Sequence, residues 1–210
     1  MAQQQSPSPS ESWRRIDAWL AVHAPADLGR LNPPVAPADI ARAETLLGTA
    51  LPAELAESLS CHDGANTWST LLPEQSPLPL DALVDRRRLC AEIAAENDGL
   101  TVRPWEDEPW WHPLWIPGAE GPDGGVQVID RRPGPDRGRL GWAGHGGGGD
   151  FTDAPPGLAA FLHEVADALD HGGAVGGLHP YLTPTGDLWW DAPDTDTLDG
   201  TPLRPAPHRS

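Results

Sequence analysis

The chain is predicted to be an α+β domain in which an antiparallel β-meander sheet packs against several helices. Three observations predict this. Apolar residues recur at helical spacing from about residue 11 to residue 97. Between Gly99 and Gly149 the apolar runs shorten and are divided by Pro/Gly turns. A continuous helical stripe then returns over 155–170. Helices, then a meander, then a closing helix is the order of helices laid on an antiparallel sheet. No break in composition divides the 210 residues, so a single domain is expected over 11–192. The Gln/Ser/Pro stretch 1–10 is expected to be a disordered tail and 193–210 a loose one.

In chain order, Trp13, Ile16 and Leu20 repeat at i, i+3 and i+7 and mark the first helix, with Ser12 as its expected N-cap. After a Pro-rich loop, Ile40, Ala43, Glu44 and Leu47 share one helical face. Gly48 suits the stop of that helix, because glycine enters the left-handed region without a Cβ clash. Pro52 is expected at the first position of the next helix, where its missing N–H costs nothing. Leu51, Leu55 and Leu59 form the stripe, and Gly64 ends it. The longest helix is expected over 81–97, with Leu83, Cys90, Ile93 and Ala94 inward and Arg86–Arg88 on the solvated side. Strands are expected at 114–116, 126–129 and 139–143, joined at Asp123-Gly124 and Pro133-Gly134. Leu158, Phe161, Leu162, Val165 and Leu169 give the last helix its apolar face. A final hairpin, 178–182 with 188–190, turns at Thr185-Gly186.

A formal charge of −17 argues against binding a phosphate backbone, whose affinity comes from Lys and Arg. An acidic surface instead draws in basic proteins, or merely keeps the chain soluble. Every basic residue apart from histidine is arginine, a compositional bias that warns against reading each one as a placed phosphate fork. No apolar run approaches the ~20 residues of a membrane span and the N-terminus lacks a secretory pattern, so a cytoplasmic location, away from membranes, is expected. Cys61 and Cys90 then read as reduced packing residues.

Few residues invite catalytic chemistry. Cys61-His62-Asp63 carries a thiol, an imidazole and a carboxylate, but neighbours on a helix diverge by about 100° each and do not converge on one atom. The eight histidines lack the His-x-x-x-His spacing of a metal site, and His163 with His171 would share a face only if the helix ran past Asp170. Nothing fixes Asp123 and Asp130 as an acid–base pair. The Gly146–Gly149 run lacks the Lys-Ser/Thr ending of a phosphate loop. No catalytic residue, metal or cofactor is expected.

Ten tryptophans stand out. Trp13, Trp19, Trp115 and Trp142 belong in a core. Trp105-Glu106-Asp107-Glu108-Pro109-Trp110-Trp111 is different: an acidic triplet between tryptophans and prolines suits a partner surface, since Trp anchors interfaces and an acidic rim favours a basic partner. Alternatively its tryptophans lid the core while the acids face water. Trp189 and Trp190, between Asp187 and Asp191, form a second candidate of the same kind.

Several motifs in fixed order resemble the SMI1/KNR4 family of the SUKH superfamily. A Glu-x-x-Leu-Gly helix (Glu44, Leu47, Gly48) precedes a Leu-Pro-x-x-Leu helix (Leu51, Pro52, Leu55) and an Asp-Gly stop (Asp63, Gly64). The sheet segment matches at Trp115, Ile116, Pro117, Asp130, Pro133, Gly134 and Gly138, and the Phe161-Leu162 helix closes a resemblance that spans 40–170. Two positions depart from the pattern. The usual Gly-Asp before the signature strand reads Gly125-Val126, and Arg131-Arg132 follow Asp130. The resemblance implies the SUKH fold and a role in protein–protein recognition without catalysis. Bacterial members look like immunity proteins that block toxins, which makes toxin neutralisation by occlusion the leading expectation, with a basic protein as partner. Fungal members are linked to cell-wall synthesis and signalling scaffolds, which is the alternative.

Overall fold

The computed structural model describes residues 6–208. Helix α1, Pro9–His23, begins earlier than expected. Pro9 occupies the first turn, and Ser8, not Ser12, is the cap, its hydroxyl accepting from the Glu11 N–H. Ser12 is fully buried instead. Ser10 ties this end down by donating its N–H (3.2 Å) and its hydroxyl (2.6 Å) to Glu57, so the last part of the expected tail is helical. Residues 1–5 of that tail lie outside the described residues.

A single turn, α2 (Pro25–Leu28), leads to α3 (Pro37–Leu47) and α4 (Ala53–Leu59). Gly48 stops α3 with φ of 65°, as its position suggests. Glu44 reaches past it to accept the Leu51 N–H at 2.8 Å, which sets the angle into α4. Pro52 is the N-cap of α4 rather than its first helical residue. Gly64 has φ of 60° and lies against the 78–79 backbone, which leaves no room for a Cβ. Helix α5, Leu80–Glu96, falls within a residue of its predicted bounds. Two of its expected faces change. Ile93 is exposed, and Arg87 is no solvated residue: it donates to Leu47 O and Pro113 O and pins the end of α3 to the loop before the sheet.

The sheet is a four-stranded antiparallel meander of β1 (Ser76–Pro77), β2 (Trp115–Glu120), β3 (Val126–Asp130) and β4 (Leu140–Ala143), in that order. Strand β1 is an unexpected short edge. Successive residues of a strand face opposite ways. Ile116 and Ile129 therefore join the large core under α1, α3, α4 and the last helix, α6 (Leu158–His171). Trp115, Val126 and Val128 join a second cluster with Cys90, Ala94 and Trp111. The meander is covered on both faces, which is why all of β3 is buried.

Helix α6 runs one residue past Asp170, so His163 and His171 do flank Asp167, at 3.5 and 3.9 Å. Arg15 of α1 joins Asp167 and Asp170 at 2.5 and 2.9 Å and fastens the two helices together. The expected hairpin forms as β5 (His179–Leu182) and β6 (Leu188–Asp191).

The segment 193–210, read as loose, carries strands β7 (Thr197–Leu198), β8 (Thr201–Pro202) and β9 (Arg204–Pro205). Strand β9 pairs with β5, Ala206 is buried, and Trp19 Nε1 donates to Pro207 O at 2.9 Å. Prolines lack a donor but keep their carbonyl, and that carbonyl is what the tail supplies here. No helix among the described residues is long and apolar enough to cross a membrane.

Candidate functional site

The loop between α5 and β2 carries the Trp/acid cluster and is fixed at several points. Trp111 N–H donates to Gly99 O (3.0 Å), and the Gly149 N–H to Pro109 O (2.9 Å). The Trp111 ring meets Trp115 edge-on at 5.9 Å, and Trp115 meets Phe151 at 5.4 Å. Gly141 and Gly149 leave the space that the Phe151 and Trp115 rings fill, for a Cβ at either would strike the ring.

Against this aromatic stack lies a quartet of charges. Arg132 donates to both oxygens of Glu108, at 2.6 and 2.8 Å, and through Nη2 to Asp130 at 2.7 Å. The Arg132 N–H and Nε add bonds to Asp130 at 2.9 and 3.0 Å. Arg139 bridges the same two carboxylates at 3.1 and 3.4 Å, with its guanidinium 4.2 Å above the Phe151 ring. Arg132 sits 5.7 Å from both the Trp115 and Phe151 rings.

Burial opposes the charge on Asp130, but the Arg132 and Arg139 guanidiniums outweigh it and hold the carboxyl below its usual range. Hydrogen bonds to Glu108 and Asp130 hold Arg132 above the usual arginine value. Burial, reinforced by Arg132, pushes His112 down. That fits its role as acceptor, through Nδ1, of the Leu114 N–H at 3.0 Å.

This geometry splits the cluster proposed as a partner surface. Glu108 and Trp111 are structural: the Glu108 side chain is 14% exposed and Trp111 is buried. Trp105, at 76% exposure, and Asp107 face outward, with Glu106 partly exposed. Trp110 is half-buried, its Nε1 donating to His145 O at 3.3 Å. In the second candidate, Trp190 is buried and donates to Leu71 O at 3.3 Å, leaving the half-buried Trp189, bonded to Asp191 at 3.1 Å.

The remaining motif residues build the frame. Trp115 and Pro117 are buried in β2, where a bulge falls between Pro117 and Ala119. Pro133, Gly134 (φ 150°) and Gly138 (φ 101°) shape the turn after Asp130, whose carbonyl accepts the Gly138 N–H at 2.7 Å.

His62 and Asp63 point to different partners. His62 Nε2 meets Asp17 at 3.0 Å, its Nδ1 meets Asn32 O at 3.3 Å, and Asp63 accepts the Leu80 N–H at 2.7 Å. Burial pushes the Cys61 thiol up, away from the reactive thiolate. Asp123 accepts the Gly125 N–H within its own turn, and Asp130 is held by the arginines. Among the described residues no group of three or more His, Cys, Asp or Glu could hold a metal ion.

Sequence reasoning missed the quartet. Its available signal was Arg132, two residues beyond Asp130 in the turn that follows β3, close enough to fold back on that carboxylate. Compared with known proteins, residues 34–167 match the model of the SMI1 / KNR4 family (SUKH-1). No curated protein matches the chain.

Proposed function

The chain belongs to the SMI1/KNR4 (SUKH-1) family, and from that premise we propose that it is a non-enzymatic protein-binding module that neutralises a toxin domain by covering its active site. The observation that carries this reading is Trp105, exposed beside Asp107 on a loop that the Glu108–Arg132–Asp130–Arg139 quartet clamps to the sheet. A large aromatic held out on an anchored loop loses little entropy on docking. Trp is also the residue type most enriched among interface hot spots. The surrounding charge, −17 over the chain, accelerates encounter with a basic partner.

The test is a pull-down from the native host followed by binding kinetics against the cationic protein it captures. Trp105→Ala is expected to speed dissociation, and Glu106→Lys with Asp107→Lys to slow association and flatten its salt dependence. Unchanged kinetics in both would remove this surface from consideration. A partner that binds here but keeps its own activity would favour the scaffold or cell-wall regulator reading.

A further inference from the structure

We propose a second docking site: the trough between α3 and α5, with a basic amphipathic helix of a partner protein as its occupant. Two adjoining hollows of about 430 and 520 Å³ share Leu46, Val84 and Asp85 as walls, so they form one continuous channel. One end opens at Val35 and Leu80, the other at Trp111 and Pro113. Val84, Ala91 and Ala95 recur at helical spacing along the floor, and Leu46 projects from α3 at 70% exposure. From Leu80 to Ala95 the trough runs about 22 Å, the length of a helix of about 15 residues.

The rim sets the chemistry of the occupant. Asp81, Asp85 and Glu92 line one edge at spacings of four and seven, and Asp39 stands on the other. Asp85 has no ion-pair partner among the described residues. Arg42–Asp39 and Arg88–Glu92 are exposed pairs, which contribute little and can exchange with incoming cations. The floor is apolar apart from Arg87, whose guanidinium is taken up by Leu47 O and Pro113 O, and such a floor between acidic edges suits a helix with one apolar face and Lys or Arg flanking it. A second copy of this chain would bring another −17 and is disfavoured. The site does not depend on the Trp105 surface.

The probe is a fluorescent Leu/Lys amphipathic peptide of about 15 residues, read by anisotropy near physiological salt, against a scrambled peptide of the same composition. The amphipathic peptide is expected to bind at least about tenfold more tightly than the scramble. Leu46→Glu should weaken it about tenfold, and Asp85→Lys should weaken it and reduce its salt dependence. Both positions are exposed, so folding is spared. Glu106→Lys with Asp107→Lys should change it by less than about twofold. Equal binding of the scramble, indifference to Leu46→Glu, or an equal loss from the 106/107 pair would overturn the proposal. So would a dimer in sedimentation that Leu46→Glu dissolves. Failure of toxin binding on Trp105→Ala leaves these readouts unmoved, so the two surfaces stand or fall separately.

Discussion

Asp130→Asn tests whether the charge quartet holds the site loop in place. The Asp130 side chain is 4% exposed and accepts four bonds from Arg132 alone, at 2.7, 2.9, 3.0 and 3.0 Å. Removing one partner of a fully buried ion pair costs about 3–5 kcal/mol. Here two features reduce that figure. Both guanidiniums remain 26% exposed, and Glu108 stays as a counterion. A loss of about 2–3 kcal/mol follows, or about 4–12 °C in Tm for a chain of this size.

The pH dependence carries a defined sign. A carboxyl whose folded pKa is depressed stabilises above its unfolded pKa, and loses that contribution as pH falls through the folded one. The gap between wild type and variant should therefore be full at pH 7 and close as pH drops below about 4. Thermal melts followed by far-UV circular dichroism at stepped pH measure both. A Tm within about 2 °C of wild type at pH 7, or a gap that widens in acid, would refute the clamp.

Three further outcomes are expected. Burial opposes protonation of His62, but Asp17 outweighs it and raises the imidazole, so the pair stabilises fully below pH 6.5 and fades as pH rises through the folded value. Asp17→Asn should then cost about 0.5–1 kcal/mol at pH 5.5 and almost nothing at pH 9, by urea titration at each pH. Deleting 203–210 removes β9 and the Pro207 acceptor of Trp19, and should lower stability by about 1–3 kcal/mol without changing the α-helical signal. Gly141→Ala drives a methyl into the Phe151 ring beneath Arg139. It should cost about 1–3 kcal/mol in urea titration and perturb the nearby tryptophan fluorescence.

Elements with a single dominant period were legible. The Leu51/Leu55/Leu59 stripe, the last helix and strand β3 each state one face clearly, and Gly48 marks a left-handed stop that few other residues tolerate. What stayed hidden depends on partners distant in the chain. Strand β1 has two residues, one of them proline, and so no period to detect. The tail at 204–207 looks loose because prolines dominate it, yet its contribution lies in carbonyls offered to Trp19 and in pairing with β5. The start of α1 had a readable signal in Ser8-Pro9, a cap followed by a first-turn proline, masked by the polar composition around it.

The acidic triplet shows the same limit at the site. Glu106, Asp107 and Glu108 are chemically alike, and nothing local separates them. The division comes from Arg132 and Arg139, 24 and 31 residues further on, which capture Glu108 alone. A triple charge reversal would therefore place a third cation against two guanidiniums and report on folding as much as on docking. Reversing only positions 106 and 107 confines the change to carboxylates that the two arginines do not hold. The quartet also relates the two departures from the family pattern. Arg132 sits where Asp130 can use it, and Asp123 serves its own turn rather than joining Asp130 in a carboxylate cluster. In this chain arginine closes the carboxylates of Glu108 and Asp130, and Trp105 stands outside the seal.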